Sequence, residues 1–144
     1  MKLRLVILTS LALTTLNLYG QTIKKCDGAI VLFTKTKLGQ LTQREIRDFL
    51  LTFGQECRNN VEYTEFSNEI LFELLDKQTD LLLLTMEKEG GKIEMEIILE
   101  DLGTPINDEI DVKTLLAKVE KIKVNGQIKK DIVDRLNSAI KDMN

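Results

Sequence analysis

The chain has 144 residues, a net charge of −3 and no histidine or tryptophan. The absence of histidine removes the commonest general base and the commonest metal ligand, which argues against Ser–His or Cys–His catalysis and against a zinc site. The acidic balance disfavours nucleic-acid binding, because carboxylates repel phosphate groups. We therefore expect a protein that is not an enzyme and that carries no cofactor and no metal ion.

Residues 1–20 have the layout of a secretory signal peptide, with a basic start followed by an apolar run over residues 5–13. A transmembrane anchor is the alternative, but a span needs about 20 apolar residues and this run is shorter. Gly20 offers a cleavage point, although the sequence does not define the bond that is cut. We expect residues 21–144 to be exported to the periplasm or the extracellular space as a single helical domain, free of the membrane.

The segment that follows predicts two helices joined as a hairpin. The first covers residues 27–38, and Gly39 stands where a left-handed residue commonly ends a helix. The second covers residues 43–56. Thr42 stands just before this helix, and Glu45 lies in its first turn. This is the spacing of a capping box, in which each side chain accepts a hydrogen bond from the backbone amide of the other residue.

Cys26 and Cys57 are the two cysteines of the chain, and an even count in an exported protein favours a disulfide. The alternatives are two separate buried thiols, or a redox or catalytic thiol, for which no histidine is present as an activating base. Counted from the centre of the predicted hairpin turn, near residue 40, Cys26 lies 14 residues before it and Cys57 lies 17 after it. We therefore predict a Cys26–Cys57 disulfide at the open end of the hairpin, which constrains the unfolded chain by roughly 3–4 kcal/mol.

Further segments place apolar residues at helical spacing between glycine, asparagine and proline. Two stretches also fit buried strands: residues 29–33, which are short and β-branched, and residues 93–99, where polar and apolar residues alternate. We prefer helix for both. The predicted fold is all-α, with about seven short helices packed as an irregular bundle or an α-solenoid-like stack. The further helices are predicted over residues 61–77, 79–86, 92–102, 112–124 and 128–140.

The charges are segregated along the chain. Residues 58–110 contain 4 basic and 14 acidic residues, whereas residues 21–57 and 111–144 have net charges of +2 and +3. Within the acidic middle, carboxylates recur every three or four residues and share an arc of roughly 80° on one predicted helix. We call this set the acidic ridge; its members are Glu62, Glu65, Glu69, Glu73 and Asp76.

The acidic ridge lies opposite the apolar face of the same helix, which is formed by Tyr63, Phe66, Ile70, Leu71, Leu74 and Leu75. Like charges at this spacing destabilise a helix by a few tenths of a kcal/mol per pair. Four environments would offset that repulsion: screening by solvent on an ordinary exposed face, the lysines of the C-terminal helices, a basic protein partner, or a divalent cation. A second acidic cluster, residues 107–111, lacks the spacing of an EF-hand loop. A turn followed by a helix cap explains that cluster.

These features favour a small exported binding module over an enzyme. We expect the acidic ridge to dock a basic protein partner, in the manner of an inhibitor or of an immunity protein against a secreted toxin. The alternatives are a structural component of the cell envelope and a hydrolase that uses a pair of carboxylates in a cleft. The sequence predicts neither the identity of the partner nor the oligomeric state.

Overall fold

A computed structural model describes residues 22–124 and 126–143, and the predicted signal peptide lies outside them. The described residues form seven α-helices, one 3-10 helix and no strand, which confirms the all-α prediction. Both stretches that also fitted strands contribute to helices. The elements are α1 Gly28–Thr36, α2 Gln43–Leu50, the 3-10 helix Gln55–Asn59, α3 Val61–Lys77, α4 Thr79–Glu89, α5 Met95–Gly103, α6 Val112–Lys121 and α7 Gln127–Asp142.

α1 and α2 pack together as the predicted hairpin, although α1 ends at Thr36 with Lys37 as its cap, before the predicted end at residue 38. Asp27 caps α1 by accepting hydrogen bonds from two backbone amides, and Gly39 follows α1 in the left-handed conformation, with φ +85°. Thr42 and Glu45 form the predicted capping box at the start of α2. The Lys37 ammonium donates to the Glu45 carboxylate at 2.6 Å, and this contact, together with the hydrogen bonds from the amide and hydroxyl of Thr42, lowers the pKa of Glu45 to about 2.

The helix predicted over residues 43–56 is wrong in length, because α2 ends at Leu50. The chain turns at Thr52, which is completely buried. Its backbone carbonyl accepts hydrogen bonds from the Cys26 amide at 2.8 Å and from the Tyr63 hydroxyl at 2.9 Å. A helix that continued to residue 56 would need this carbonyl for the amide of residue 56, so the tertiary partners are incompatible with the predicted length, and the chain continues into the 3-10 helix.

The predicted disulfide joins Cys26, just before α1, to Cys57 in the 3-10 helix, with a Cα–Cα distance of 5.4 Å. It ties the start of the hairpin to the chain that follows it. Cys26 has φ +59°, a left-handed conformation that residues with a side chain rarely adopt, and the disulfide helps to hold it. The Lys25 ammonium also donates to the backbone carbonyl of Phe53, which gives this segment another attachment.

α3 is the longest helix among the described residues, and it contacts α1, the 3-10 helix, α4, α5 and α6. Its buried side chains include most of the predicted apolar face, although Phe66 is only partly buried. Because neighbours cover α3 on several sides, a narrow polar stripe of the helix remains open to solvent. The buried apolar residues of α3 are Tyr63, Ile70, Leu71, Phe72, Leu74 and Leu75.

The second half of the fold is built around α7, which packs against α4, α5 and α6. Its buried side chains share one hydrophobic core with those of α3 and the hairpin. Gln78 links the hairpin turn to the end of α3. Its Oε1 accepts hydrogen bonds from the backbone amides of Gly39 and Leu41, and its Nε2 donates one to the carbonyl of Leu41. In the part of the chain that the structure describes, no helix combines the length and the apolar character needed to cross a membrane.

Candidate interaction groove

The acidic ridge lies along the solvent-facing stripe of α3. Glu62, Glu65 and Asp76 are exposed, whereas Glu69 and Glu73 are partly exposed. At a rise of 1.5 Å per residue, the ridge extends for about 21 Å from its first carboxylate to its last. The other helices therefore leave uncovered the side of α3 on which the sequence places these five carboxylates.

A groove runs beside the ridge, and the connection between α5 and α6 forms its second wall. The wider part of the groove has a volume of about 1030 Å³ and is lined by the first half of α3 and by residues 106–108. The narrower part has a volume of about 340 Å³ and is lined by the second half of α3, the end of the connection and the start of α6. Glu69 and Asn107 line both parts, so the groove is continuous.

The groove brings together two acidic segments that are separate in the sequence. Asp108, Glu109 and Asp111 belong to the second acidic cluster, and all three line the groove. Asp111 also caps α6, as predicted, because its carboxylate accepts hydrogen bonds from the backbone amide and the hydroxyl of Thr114, and these bonds lower its pKa. Sequence reasoning explained this cluster by local capping alone and missed its place beside the ridge.

Asn68 holds the second wall against α3, and its side chain is 1% exposed. Its Nδ2 donates to the backbone carbonyls of Asp101 at 3.0 Å and Thr104 at 3.3 Å, and its Oδ1 accepts from the amide of Ile106 at 3.2 Å. Because a buried polar group without a partner is costly, these bonds fix the connection relative to the ridge. In the sequence, the signal for this role of Asn68 is its position as a polar residue next to the apolar face of a helix.

The C-terminal half of the ridge is neutralised within the protein. The Glu73 carboxylate lies 4.0 Å from the ammonium of Lys77, one turn further along α3, and Asp76 forms an ion pair with Lys118 of α6. The carboxylate in the middle, Glu69, pairs with a lysine of α1. Pairing with the basic C-terminal helices, one of the explanations offered for the ridge, therefore occurs at Asp76.

The N-terminal half of the ridge keeps its charge. Glu62, Glu65 and the neighbouring Asp108 form no ion pair with any residue that the structure describes. The same part of the groove exposes two apolar side chains, Val61 at 65% and Ile106 at 48%. Apolar side chains flanked by polar and charged ones are the usual composition of a protein–protein interface.

Asp101 is a carboxyl whose pKa is raised, to about 6, because burial disfavours its charged form while the nearby Arg58 guanidinium opposes that effect. It lines a pocket of about 20 Å³ together with Cys57 and Tyr63, away from the groove. That volume holds about one water molecule, so the pocket has no room for a substrate. Among the described residues that line this pocket, Asp101 is the one carboxyl.

Two further comparisons concern a metal site among the described residues and similarity to known proteins. The ranges 22–124 and 126–143 contain no group of three or more histidine, cysteine, aspartate or glutamate side chains placed to hold a metal ion. Comparison with protein-family models, curated proteins and solved structures found no match.

Proposed function

We propose that the protein is an exported protein-binding module whose groove docks a basic segment of a partner protein. One observation carries this proposal. Carboxylates from two separate acidic segments, among them Glu65 and Asp108, line one groove beside the exposed apolar side chains of Val61 and Ile106. A basic, amphipathic segment has the complementary chemistry, because its lysines or arginines pair with the carboxylates while its apolar residues cover the exposed apolar surface.

The dimensions of the ridge favour an elongated partner. Its length of about 21 Å corresponds to about 14 residues of helix. A helix docked in a groove presents side chains at every third or fourth position, which is also the spacing of the carboxylates from Glu62 to Asp76. Opposite charges attract partners before they touch, so we expect association that is fast at low salt and slower as salt is added.

The compartment is part of the proposal. Residues 1–20 have the layout of an export signal, and the Cys26–Cys57 disulfide is of the kind that persists in oxidising compartments. An acidic groove with exposed apolar side chains suits a protein that acts by covering the basic surface of another. We therefore propose an inhibitor- or immunity-like role towards a basic periplasmic or extracellular protein.

Charge reversal in the unpaired half of the ridge tests the proposal. The variant is E62K/E65K, and the matched control is E120K/D142K, which changes the net charge by the same amount at exposed positions of α6 and α7. Each protein is immobilised and exposed to an extract of the producing cells at low salt. We expect partners to be retained by the wild type and the control and to bind E62K/E65K about 10- to 100-fold more weakly, since two attractions become repulsions.

Two results contradict the proposal. The first is a partner that binds E62K/E65K as well as it binds the wild type. The second is equal loss from E62K/E65K and E120K/D142K, which shows that net charge matters and that the groove does not. Mass spectrometry of the retained proteins also tests the chemistry, because the proposal requires a basic segment in each specific partner.

A further inference from the structure

A cation of the protein itself already contacts two residues that line the groove. Lys35 of α1 places its ammonium 5.3 Å from the centre of the Phe66 ring and 3.9 Å from the Glu69 carboxylate. Both Phe66 and Glu69 line the wider part of the groove. The contact therefore joins α1 to the wall along which the proposed partner would lie.

Phe66 has an environment that its position in the sequence did not predict. The apolar pattern of α3 placed it in the core with Ile70 and Leu74, which are completely buried, but Phe66 is only partly buried. The face of an aromatic ring attracts cations, and a carboxylate beside it adds a charge-assisted hydrogen-bond acceptor. Phe66 and Glu69 together therefore have the chemistry of a subsite for an ammonium group.

We infer that Phe66 and Glu69 form a cation subsite of the groove, that Lys35 fills it in the free protein, and that a lysine of the partner displaces Lys35 on binding. This inference rests on the proposed function. The Lys35 and Glu69 side chains are 43% and 39% exposed, so their contact is of the weak kind that exchanges readily. An internal competitor lowers the apparent affinity of the partner by the fraction of time that it fills the subsite.

The test compares K35M with K130M. Methionine keeps an unbranched apolar side chain and removes the charge, and Lys130 lies exposed on α7 beside a separate pocket that shares no residue with the groove. Both variants change the net charge equally, so long-range attraction changes alike. The probe is a fluorescein-labelled 14-residue peptide with lysine on one helical face and leucine on the other, titrated by anisotropy at low salt. We expect K35M to bind the peptide about 3- to 10-fold more tightly than K130M does.

A double variant separates displacement from simple removal of a nearby repulsive charge. In K35M/F66L the gain should fall to less than about 2-fold, because the aromatic half of the subsite is lost while the charge pattern is unchanged. Circular dichroism melting confirms that each variant is folded. Equal affinity of K35M and K130M, or a full gain in K35M/F66L, overturns the subsite and leaves the groove intact as a docking surface. A peptide that binds none of the proteins overturns the subsite and the proposed docking together.

Discussion

Loss of the Cys26–Cys57 disulfide should remove a large share of the stability of the fold. The bond spans 31 residues, and in the chain-entropy model a loop of this size restricts the unfolded chain by about 12 cal/mol/K, or about 4 kcal/mol at 25 °C. A small domain is stable by only about 5–15 kcal/mol. The variant C26A/C57A should therefore remain folded with a small margin.

Urea unfolding followed by circular dichroism measures this loss. With a denaturant dependence of about 2 kcal/mol per M, we expect the midpoint to fall by about 2 M in C26A/C57A. The wild type with a reducing agent is the matched control, because it breaks the same bond without changing a side chain. Cys57 is 4% exposed, so part of the difference between the two samples reports the smaller alanine side chain in the core.

A loss below about 1 kcal/mol in both samples refutes the reasoning. It would mean that the segment before α1 stays in place without the bond, held by the hydrogen bond from the Cys26 amide to the Thr52 carbonyl and by the contact of Lys25 with Phe53. The unfolded chain would then already be restricted near these residues. The hairpin would owe its stability to packing and the disulfide would add little.

Two further predictions concern the polar groups near the second wall of the groove. N68A should lower the free energy of unfolding by about 2–3 kcal/mol and speed amide exchange at Ile106, because the buried Asn68 side chain loses its three partly buried hydrogen bonds. Unchanged exchange at Ile106 would show that another contact holds the wall. The folded-state pKa of Asp101 is about 6, above its ordinary 3.8, so the folded protein holds this proton more tightly than the unfolded chain and loses stability as the pH rises through 6. At pH 7.5 we expect D101N to be more stable than the wild type by about 1–2 kcal/mol. This is less than the full change in the pKa of Asp101 implies, because the side chain is partly exposed. Below about pH 4 the two proteins should have equal stability. Equal urea midpoints at pH 7.5 would contradict this.

The elements of the hairpin show which structure is local enough to predict. Thr42 and Glu45 are three residues apart, and Gly39 acts through its own backbone, so each signal is contained in one short window. The early end of α2 is different. It depends on the Thr52 carbonyl, whose partners Cys26 and Tyr63 lie in other parts of the chain, and helical periodicity alone predicts a longer helix.

The same distinction applies to the groove. The acidic ridge follows from a repeat of three and four residues on one helix, so the sequence places its carboxylates on one face. The second wall depends on Asn68, whose partners lie 33 to 38 residues away in the sequence. No repeat on either segment reports that contact. For this reason the sequence predicts each acidic segment by itself and does not predict that the two line the same groove.

The division of the ridge into a paired and an unpaired half explains how the fold tolerates so many like charges on one helix. Asp76 pairs with Lys118, which links α6 to α3, and Glu73 lies 4.0 Å from Lys77 on α3 itself. Glu62 needs no side-chain partner, because it lies in the first turn of α3, where the helix dipole stabilises a negative charge. The groove carboxylates that lack a side-chain ion pair among the described residues, Glu62, Glu65 and Asp108, thus lie at the end of the groove where apolar side chains are also exposed. A partner that supplies positive charge there gains attraction, and the ion pair that it replaces is the weak one between Lys35 and Glu69.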